Sequence, residues 1–558
     1  MKVSERYEVW RARVNDLELL AELNQIAGDE TEIEDRFYRE LEFGTGGLRG
    51  VLGAGTNRMN IYTVAKASQG YSNYLKKSTE NPSVAIAYDS RNNSTLFART
   101  AAAVFAANGI QIYIYPKLMP TPSLSFAVRD LKCSGGIVIT ASHNPAKYNG
   151  YKVYGGDGGQ ITTQAAKAIQ VEIDRIDPFL DVRRADFDIM LEEGKIRYIS
   201  EDTVTRYLAA VQRESLLPKE TSRDVFIVYT PLNGAGISCV PRCLAEQGFT
   251  NITIPDEQKE PDGSFPTCPY PNPEVKETLQ VGLAWAERLG SELLLATDPD
   301  CDRVGAAVKG PDGYVLISGN EMGVLLFDFI CKMRMENGTM PGNPVAAKTI
   351  VTTPMAAKVA AHYGVELRDV LTGFKFIGEQ IGLLEKEGQA HRYIFGFEES
   401  YGYLSGSFVR DKDAVNASLL ICEMFAWYRA QGQTLLGVLD QLYRDYGYYQ
   451  SRLLSFAFEG VEGFDRMNAL IDILREHPPK EFAGYPVART TDYQRDDTGL
   501  PRSNVLRFWL EGGAEVVVRP SGTEPKLKVY LTALGRDKAE SQGIVDKLDS
   551  YFRGWAGT

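Results

Sequence analysis

Gly135-Gly-Ile-Val-Ile-Thr-Ala-Ser-His-Asn-Pro-Ala-Lys-Tyr-Asn-Gly-Tyr-Lys152 is the stretch whose reading decides the fold. Ile137-Val138-Ile139 has the length and β-branching of a buried strand, and it stops at Thr140-Ala141-Ser142-His143-Asn144-Pro145. Ser142 is therefore expected just past the C-terminal end of a strand, the edge at which open α/β sheets bind ligands. Pro145 delays any following helix until the loop has presented its side chains. A hydroxyl so placed is a nucleophile candidate, and His143, Asn144 and Lys152 are close enough to supply a proton acceptor and a charge partner.

Working outward from that loop, strand and helix signals alternate. Val84-Ala-Ile-Ala-Tyr88 reads as a strand, Ser94 to Asn108 as a helix closed by Gly109, Ile112-Tyr-Ile-Tyr115 as a strand, and Thr121-Pro122 opens another helix. Such alternation implies a parallel sheet with helices on both faces. Capping by Ser94 accounts for most of Asp89-Ser-Arg-Asn-Asn-Ser94, with Asp89, Ser90 and Arg91 at the margin of the site. Residues 4–43 read as two amphipathic helices that end at Phe43-Gly-Thr-Gly-Gly-Leu-Arg-Gly50, a glycine-rich segment in which Arg49 is the strong anion ligand. Gly155-Gly-Asp-Gly-Gly159 reads as a turn before a helix capped by Thr162 or Thr163, and the polar segment 178–205 as the end of a first domain.

Downstream the alternation restarts twice. A second unit runs from the strand Val225-Phe-Ile-Val-Tyr229 to Leu293-Leu-Leu-Ala296 and ends in Thr297-Asp298-Pro-Asp300-Cys-Asp302-Arg303. Three aspartates at i, i+2 and i+4 on a curled loop make a hard-oxygen cage for Mg²⁺. An EF-hand is excluded, because Arg303 stands where its glycine would be and Lys309 where its closing glutamate would be. A third unit begins with the helix Glu321–Met335 and the strand Ala347–Val351. It carries Leu371-Thr372-Gly373-Phe-Lys375, the pair Glu398 and Ser400 in Gly396-Phe-Glu-Glu-Ser-Tyr-Gly402, and Arg410-Asp-Lys412-Asp. Beyond a tyrosine-rich linker at 443–449 the character changes to α+β. There Arg519-Pro-Ser521-Gly522-Thr523, with Lys528 close behind, combines a guanidinium, two hydroxyls and glycine-freed amides into an anion pocket.

At 558 residues the chain is too long for one core, and a prior of ~150 residues per domain gives three to five domains. A net charge of −12 argues against binding a nucleic-acid backbone over a long surface. Seven scattered cysteines show no metal or disulfide spacing, which fits a reducing cytoplasm. The N-terminus is charged, and no stretch reaches the ~18 uninterrupted apolar residues of a membrane span.

Taken together, these loops resemble the active site of the α-D-phosphohexomutase superfamily, in its phosphoglucomutase/phosphomannomutase branch, over nearly the whole chain. The resemblance implies three similar α/β domains with mixed, mostly parallel sheets plus a C-terminal α+β domain around a central cleft. Boundaries are expected at 1–205, 206–320, 321–447 and 448–558. It implies a phosphoserine at Ser142, with Mg²⁺ held by Asp298, Asp300, Asp302 and the Ser142 phosphate. Arg49, His143 and Lys152 would serve the reacting end, with His143 or Lys152 as general acid/base. Arg303, Thr372, Gly373, Lys375, Glu398, Ser400, Lys412, Arg519, Ser521, Gly522, Thr523 and Lys528 would bind the substrate.

The implied activity is reversible transfer of a phosphoryl group between the 1- and 6-positions of a hexose phosphate through glucose 1,6-bisphosphate, with phosphopentomutase and bisphosphate synthase as alternatives on the same scaffold. A non-catalytic sugar-phosphate binder is the remoter reading. A serine hydrolase is disfavoured, since adjacent Ser142 and His143 are expected to point apart and no Gly-x-Ser-x-Gly surrounds the serine. The expected partner is a small-molecule sugar phosphate, with no nucleic acid and no membrane, for a cytoplasmic monomer or small homo-oligomer. The sequence departs from the family pattern at Pro299 and Cys301, where glycines are common, at Tyr401 ahead of Gly402, and at Lys528, where many members have arginine.

Overall fold

The computed structural model describes residues 1–556 apart from Thr45, Glu459 and residues 521–525. The chain packs as two compact units. One comprises Met1–Ile317, Gly378–Ala390 and Gly402–Ala426; the other comprises Ser318–Ile377, His391–Tyr401 and Trp427–Thr558.

The first sheet of the first unit has the strand order Gly47–Val51, Tyr148–Gly155, Gly135–Ile139, Ser83–Tyr88, Gln111–Ile114, Ile196–Tyr198. The last four run parallel, while the first two add an antiparallel edge, so the sheet is mixed where alternation alone implied a parallel one. Gly135–Ile139 is buried at every residue, as a central strand covered on both faces must be. Its Ile137 and Ile139 join Val84, Ile86, Ile112, Phe97 and Phe105 in one apolar core.

The glycine-rich segment around Arg49 is therefore largely a strand. Gly47, at φ 137°, faces Tyr151 so closely that a Cβ would lie 1.8 Å from its carbonyl oxygen, which is why glycine stands there. The N-terminal region forms three helices, Val3–Arg13, Leu17–Gln25 and Glu30–Phe37, where the sequence suggested two. The polar segment 178–205 contains the strand Ile196–Tyr198 and still belongs to the first sheet.

The second sheet, also in the first unit, orders Gly313–Ile317, Val304–Gly310, Leu293–Thr297, Ile227–Thr230, Ile252–Thr253. Leu293–Thr297 runs parallel to Ile227–Thr230 and antiparallel to Val304–Gly310, and the Asp298–Arg303 loop joins it to the latter.

In the second unit Glu366–Val370 and Tyr393–Glu398 flank Val345–Thr349 in parallel. The C-terminal sheet is antiparallel throughout, in the order Tyr448–Ala457, Lys526–Gly535, Glu515–Pro520, Leu506–Leu510, Tyr485–Asp492, Glu481–Phe482. The helices Gly460–Glu476 and Lys538–Ala556 complete an α+β domain. The expected linker at 443–449 is instead the end of the helix Leu435–Tyr446 and the start of the strand Tyr448–Ala457. Tyr443, which is buried, and the half-buried Tyr448 stack across Gly447 with ring centroids 5.7 Å apart, so tyrosines that suggest a linker lie in regular elements.

Candidate active site

Ser142 follows its strand by three residues, at φ 52°, a left-handed conformation that a non-glycine residue holds only when its surroundings impose it. Its amide donates to Thr140 Oγ1 at 2.8 Å, and Arg91 donates to carbonyls of the loop. Ser142 Oγ donates to Asp298 Oδ2 at 2.9 Å and lies 3.2 Å from His143 Nδ1. The expectation that the neighbouring side chains point apart is thus corrected, because the left-handed turn brings both onto one side of the loop. Arg49 Nη1 donates to Asn144 Oδ1 at 3.3 Å from the adjoining edge strand.

Asp298, Asp300 and Asp302 are all buried, with one carboxylate oxygen from each lying within 4.8 Å of the others. Backbone curling explains the convergence. Asp298 Oδ1 accepts from the amides of Asp302 and Arg303 at 3.1 and 3.0 Å, and Cys301 between them sits at φ 51°, where a glycine would be free of strain. Asp300 Oδ2 accepts from Thr121 Oγ1 at 2.8 Å and from Lys152 Nζ at 2.7 Å. Asp302 Oδ2 takes Lys152 at 3.1 Å and Lys412 at 2.9 Å. Asp300 Oδ1 and Asp302 Oδ1 are buried with no hydrogen-bond partner among the described residues. Orphaned carboxylate oxygens beside a third aspartate fit a hard divalent cation, which takes oxygen ligands of this kind.

The electrostatics are those of a compact ion cluster. Burial, then Asp300 and Asp302, push the Asp298 carboxyl well above the usual carboxylate range. Burial would also raise Asp302, but Lys152, Lys412 and Arg303 outweigh it and hold this carboxyl low. Burial would lower the Lys152 ammonium, and the facing Asp300 and Asp302 raise it instead.

Lys412, read as a phosphate ligand, therefore lies on the aspartate loop. Arg303 is engaged with Glu274 at 2.8 Å. The loop around Asp89 also differs from its reading as a helix cap. Asn93, at φ 65°, precedes the helix, and Ser94 Oγ donates inward to Asp89 Oδ1 at 2.7 Å. Thr121 and Thr140 were not among the expected site residues, and Arg91, three residues past the end of the strand Ser83–Tyr88, was expected only at the margin of the site.

The second unit carries the remaining residues. Glu398 ends the strand Tyr393–Glu398 and is 4% exposed. Glu399 accepts from Thr349 and Thr352 hydroxyls at 3.2 and 3.3 Å, and Tyr401 turns the chain at φ 64° before Gly402. Ser400 lies between them. Thr372 Oγ1 is buried with no hydrogen-bond partner among the described residues, Gly373 is at φ 119°, and Lys375 lies in the first turn of the helix Phe374–Lys386 rather than ahead of it. Arg519 and Lys528 face each other across the hairpin of Glu515–Pro520 and Lys526–Gly535. Tyr530 is pushed up by burial and by Glu399 and Glu398, and pulled down by the charge of Arg519 and its hydrogen bond with it. Ser521, Gly522 and Thr523 lie outside the described residues.

Four models of the phosphoglucomutase/phosphomannomutase family match in chain order: α/β/α domain I over residues 40–179, domain II over 205–313, domain III over 318–446 and the C-terminal domain over 479–549. A phosphoglucomutase of Staphylococcus aureus is 36% identical over 541 residues, spanning 94% of this chain and 95% of its own. Among solved structures, the Paramecium phosphoglucomutase parafusin superposes with a TM-score of 0.67 at 18% identity, covering 93% of this chain and 97% of its own. The Aspergillus fumigatus N-acetylphosphoglucosamine mutase solved with GlcNAc-6P and magnesium superposes at 0.51 and 14% identity, covering 93% and 97%. With its four domains matched in order, its serine set against an aspartate triad and a full-length relative at this identity, the chain belongs to the phosphoglucomutase/phosphomannomutase family and is an isomerase of the intramolecular phosphotransferase class.

Proposed function

We propose that this isomerase interconverts hexose 1-phosphate and hexose 6-phosphate, glucose ahead of mannose, through phosphorylated Ser142 and a hexose 1,6-bisphosphate. The observation that carries the reading is the Ser142 hydroxyl 2.9 Å from Asp298, in a cluster where Asp300 and Asp302 each keep a buried oxygen without a hydrogen bond. A sugar hydroxyl gives its proton to the general base, for which His143 and Lys152 are the candidates, and attacks the phosphorus; its O–P bond forms as the Ser142 Oγ–P bond breaks, and Ser142 Oγ takes up a proton. The hydroxyl so re-formed has Asp298 Oδ2 and His143 Nδ1 within hydrogen-bonding distance. The return step, on the other hydroxyl's phosphate, reverses the sequence.

Lys152, Lys412 and Arg49 supply cationic charge at the reacting end, and phosphoryl transfer depends mostly on such positioning and neutralisation. Asp298, Asp300, Asp302 and a phosphate oxygen would hold Mg²⁺, the ion present with the Aspergillus mutase, which supplies Lewis-acid stabilisation of the transferring group. Glu398 and Ser400 read the sugar hydroxyls, Thr372, Gly373 and Lys375 the sugar phosphate, and Arg519, Ser521, Gly522, Thr523 and Lys528 clamp the phosphate that is not reacting. Arg303, at the end of the aspartate loop, completes the proposed substrate set. The domain limits 1–205, 206–320, 321–447 and 448–558, a cytoplasmic location and a monomer or small homo-oligomer complete the proposal.

The test is a coupled assay of glucose 1-phosphate, mannose 1-phosphate and ribose 1-phosphate with Mg²⁺ and catalytic glucose 1,6-bisphosphate. Turnover of a hexose phosphate that vanishes in Ser142→Ala supports the proposal. Turnover of ribose 1-phosphate alone moves the substrate to a pentose, and turnover of none overturns the reading.

A further inference from the structure

We infer that Arg91 is the positioning residue that fixes Ser142 for phosphoryl transfer, and that the Asp262-Gly-Ser-Phe265 turn of the second α/β domain locks it in place. The inference rests on Ser142 as the phosphoryl carrier. Arg91 is 2% exposed and follows the strand Ser83–Tyr88, the direct neighbour of Gly135–Ile139. Its Nη2 donates to the carbonyls of Ser142, at 2.6 Å, and Asn144; its Nη1 donates to those of Pro145 and Tyr148 at 2.9 and 3.0 Å. One guanidinium plane thus gathers the carbonyl of the serine and three of those that follow it, between residues 142 and 148. A lysine, a point charge with three donors, cannot satisfy that set. Ser142 at φ 52° is strained, and such a conformation persists where the surroundings over-determine it, as this fork does.

The guanidinium is braced on two further sides. Asp89 Oδ2 lies 3.4 Å from Arg91 Nε, and Asp89 Oδ1 accepts from the Arg91 amide at 2.9 Å. Above it, the Phe265 ring centroid is 5.1 Å from Cζ, with Phe265 itself buried at φ 47°. Gly263 comes so close that a Cβ would lie 2.3 Å from the Asn92 nitrogen and 2.7 Å from the Arg91 carbonyl carbon. Leu232, Phe265 and Cys268 also pack against Ala146 of the serine loop. The domain that carries the aspartates thereby presses on the arginine that shapes the serine, so that nucleophile and aspartates are set by one assembly.

The test is single-turnover transfer from glucose 1,6-bisphosphate to Ser142, followed by intact mass, together with steady-state kinetics. In the step measured, Ser142 Oγ loses its proton and bonds phosphorus, one sugar O–P bond breaks, and the sugar oxygen takes a proton. Arg91→Lys is expected to slow transfer and kcat on the order of 100-fold, the effect of a misplacement near 1 Å, with KM within about twofold. Millimolar guanidinium is expected to restore part of the rate to Arg91→Ala. Phe265→Leu, which keeps Arg91, is expected to show the same kcat-selective loss at smaller size, and it decides the matter if the arginine variants fail to fold. Wild-type protein that takes no phosphoryl group would overturn the Ser142 reading itself. Wild-type protein that does so while Arg91→Lys or a folded Phe265→Leu matches its rate overturns the positioning role.

Discussion

Ser142 at φ 52°, Cys301 at φ 51° and Tyr401 at φ 64° place a non-glycine residue in the left-handed region within three of the loops that carry the site. Strain of this kind collects where a side chain must be presented at a sharp turn, and only Ser142 needs its side chain for transfer chemistry. Ser142→Gly is therefore expected to be more stable than Ser142→Ala by about 1 kcal/mol in urea unfolding, with both inactive, because only alanine keeps a Cβ in the strained conformation. Gly47 shows the opposite constraint: its Cβ would meet the Tyr151 carbonyl at 1.8 Å. Gly47→Ala is expected to cost about 3 kcal/mol by the same measurement and to lower activity as well, since the displaced backbone continues into Lys152. Equal stability of wild type and Gly47→Ala would refute that account.

Among the elements, the helix Phe374–Lys386 is tied near its C-terminal end. Glu385 accepts from Arg129 Nη2 at 2.6 Å and from Arg410 Nη2 at 2.7 Å. Hydrogen bonding from Arg129, then the charge of Arg410, overcomes the opposing effect of burial and brings its carboxyl down to about 2. The folded-state pKa lies below the ordinary 4.5, so the contribution to stability is full above that pH and is lost as pH falls toward 2. Glu385 is 45% exposed, which limits the contribution to about 1 kcal/mol. Melting of Glu385→Gln against wild type should show a gap at neutral pH that closes below pH 4.5. The neighbouring Arg410 begins the segment that ends in Lys412, so the same clamp supports the lysine beside Asp302.

At the scale of the whole molecule, the residues proposed for the site fall into two groups, the serine and aspartate loops in the first unit and the loops proposed for the sugar and its phosphate in the second. The groups should separate experimentally. Mg²⁺ added to metal-stripped protein is expected to raise the melting temperature, by about 2.7 kcal/mol of stabilisation at 100 times its dissociation constant, and Asp300→Asn to abolish the rise. Arg519→Ala, which leaves the aspartates intact, should keep that response yet weaken binding of a sugar monophosphate about 10- to 100-fold by calorimetry, the worth of a charge-assisted hydrogen bond.

The sequence by itself determined the strand ends and the chemistry placed on them. Ile137-Val138-Ile139 read as a buried strand and Asp298, Asp300 and Asp302 as converging on a curled loop, because apolar runs, turn residues and charge density are local properties. Only the tertiary structure decided that Arg91 gathers the carbonyls of residues 142–148, that Thr121 and Lys412 meet Asp300 and Asp302, and that the tyrosines at 443–449 stack instead of linking. Those partners lie far apart in the chain, and a carbonyl oxygen, which every residue carries, leaves no mark in a sequence.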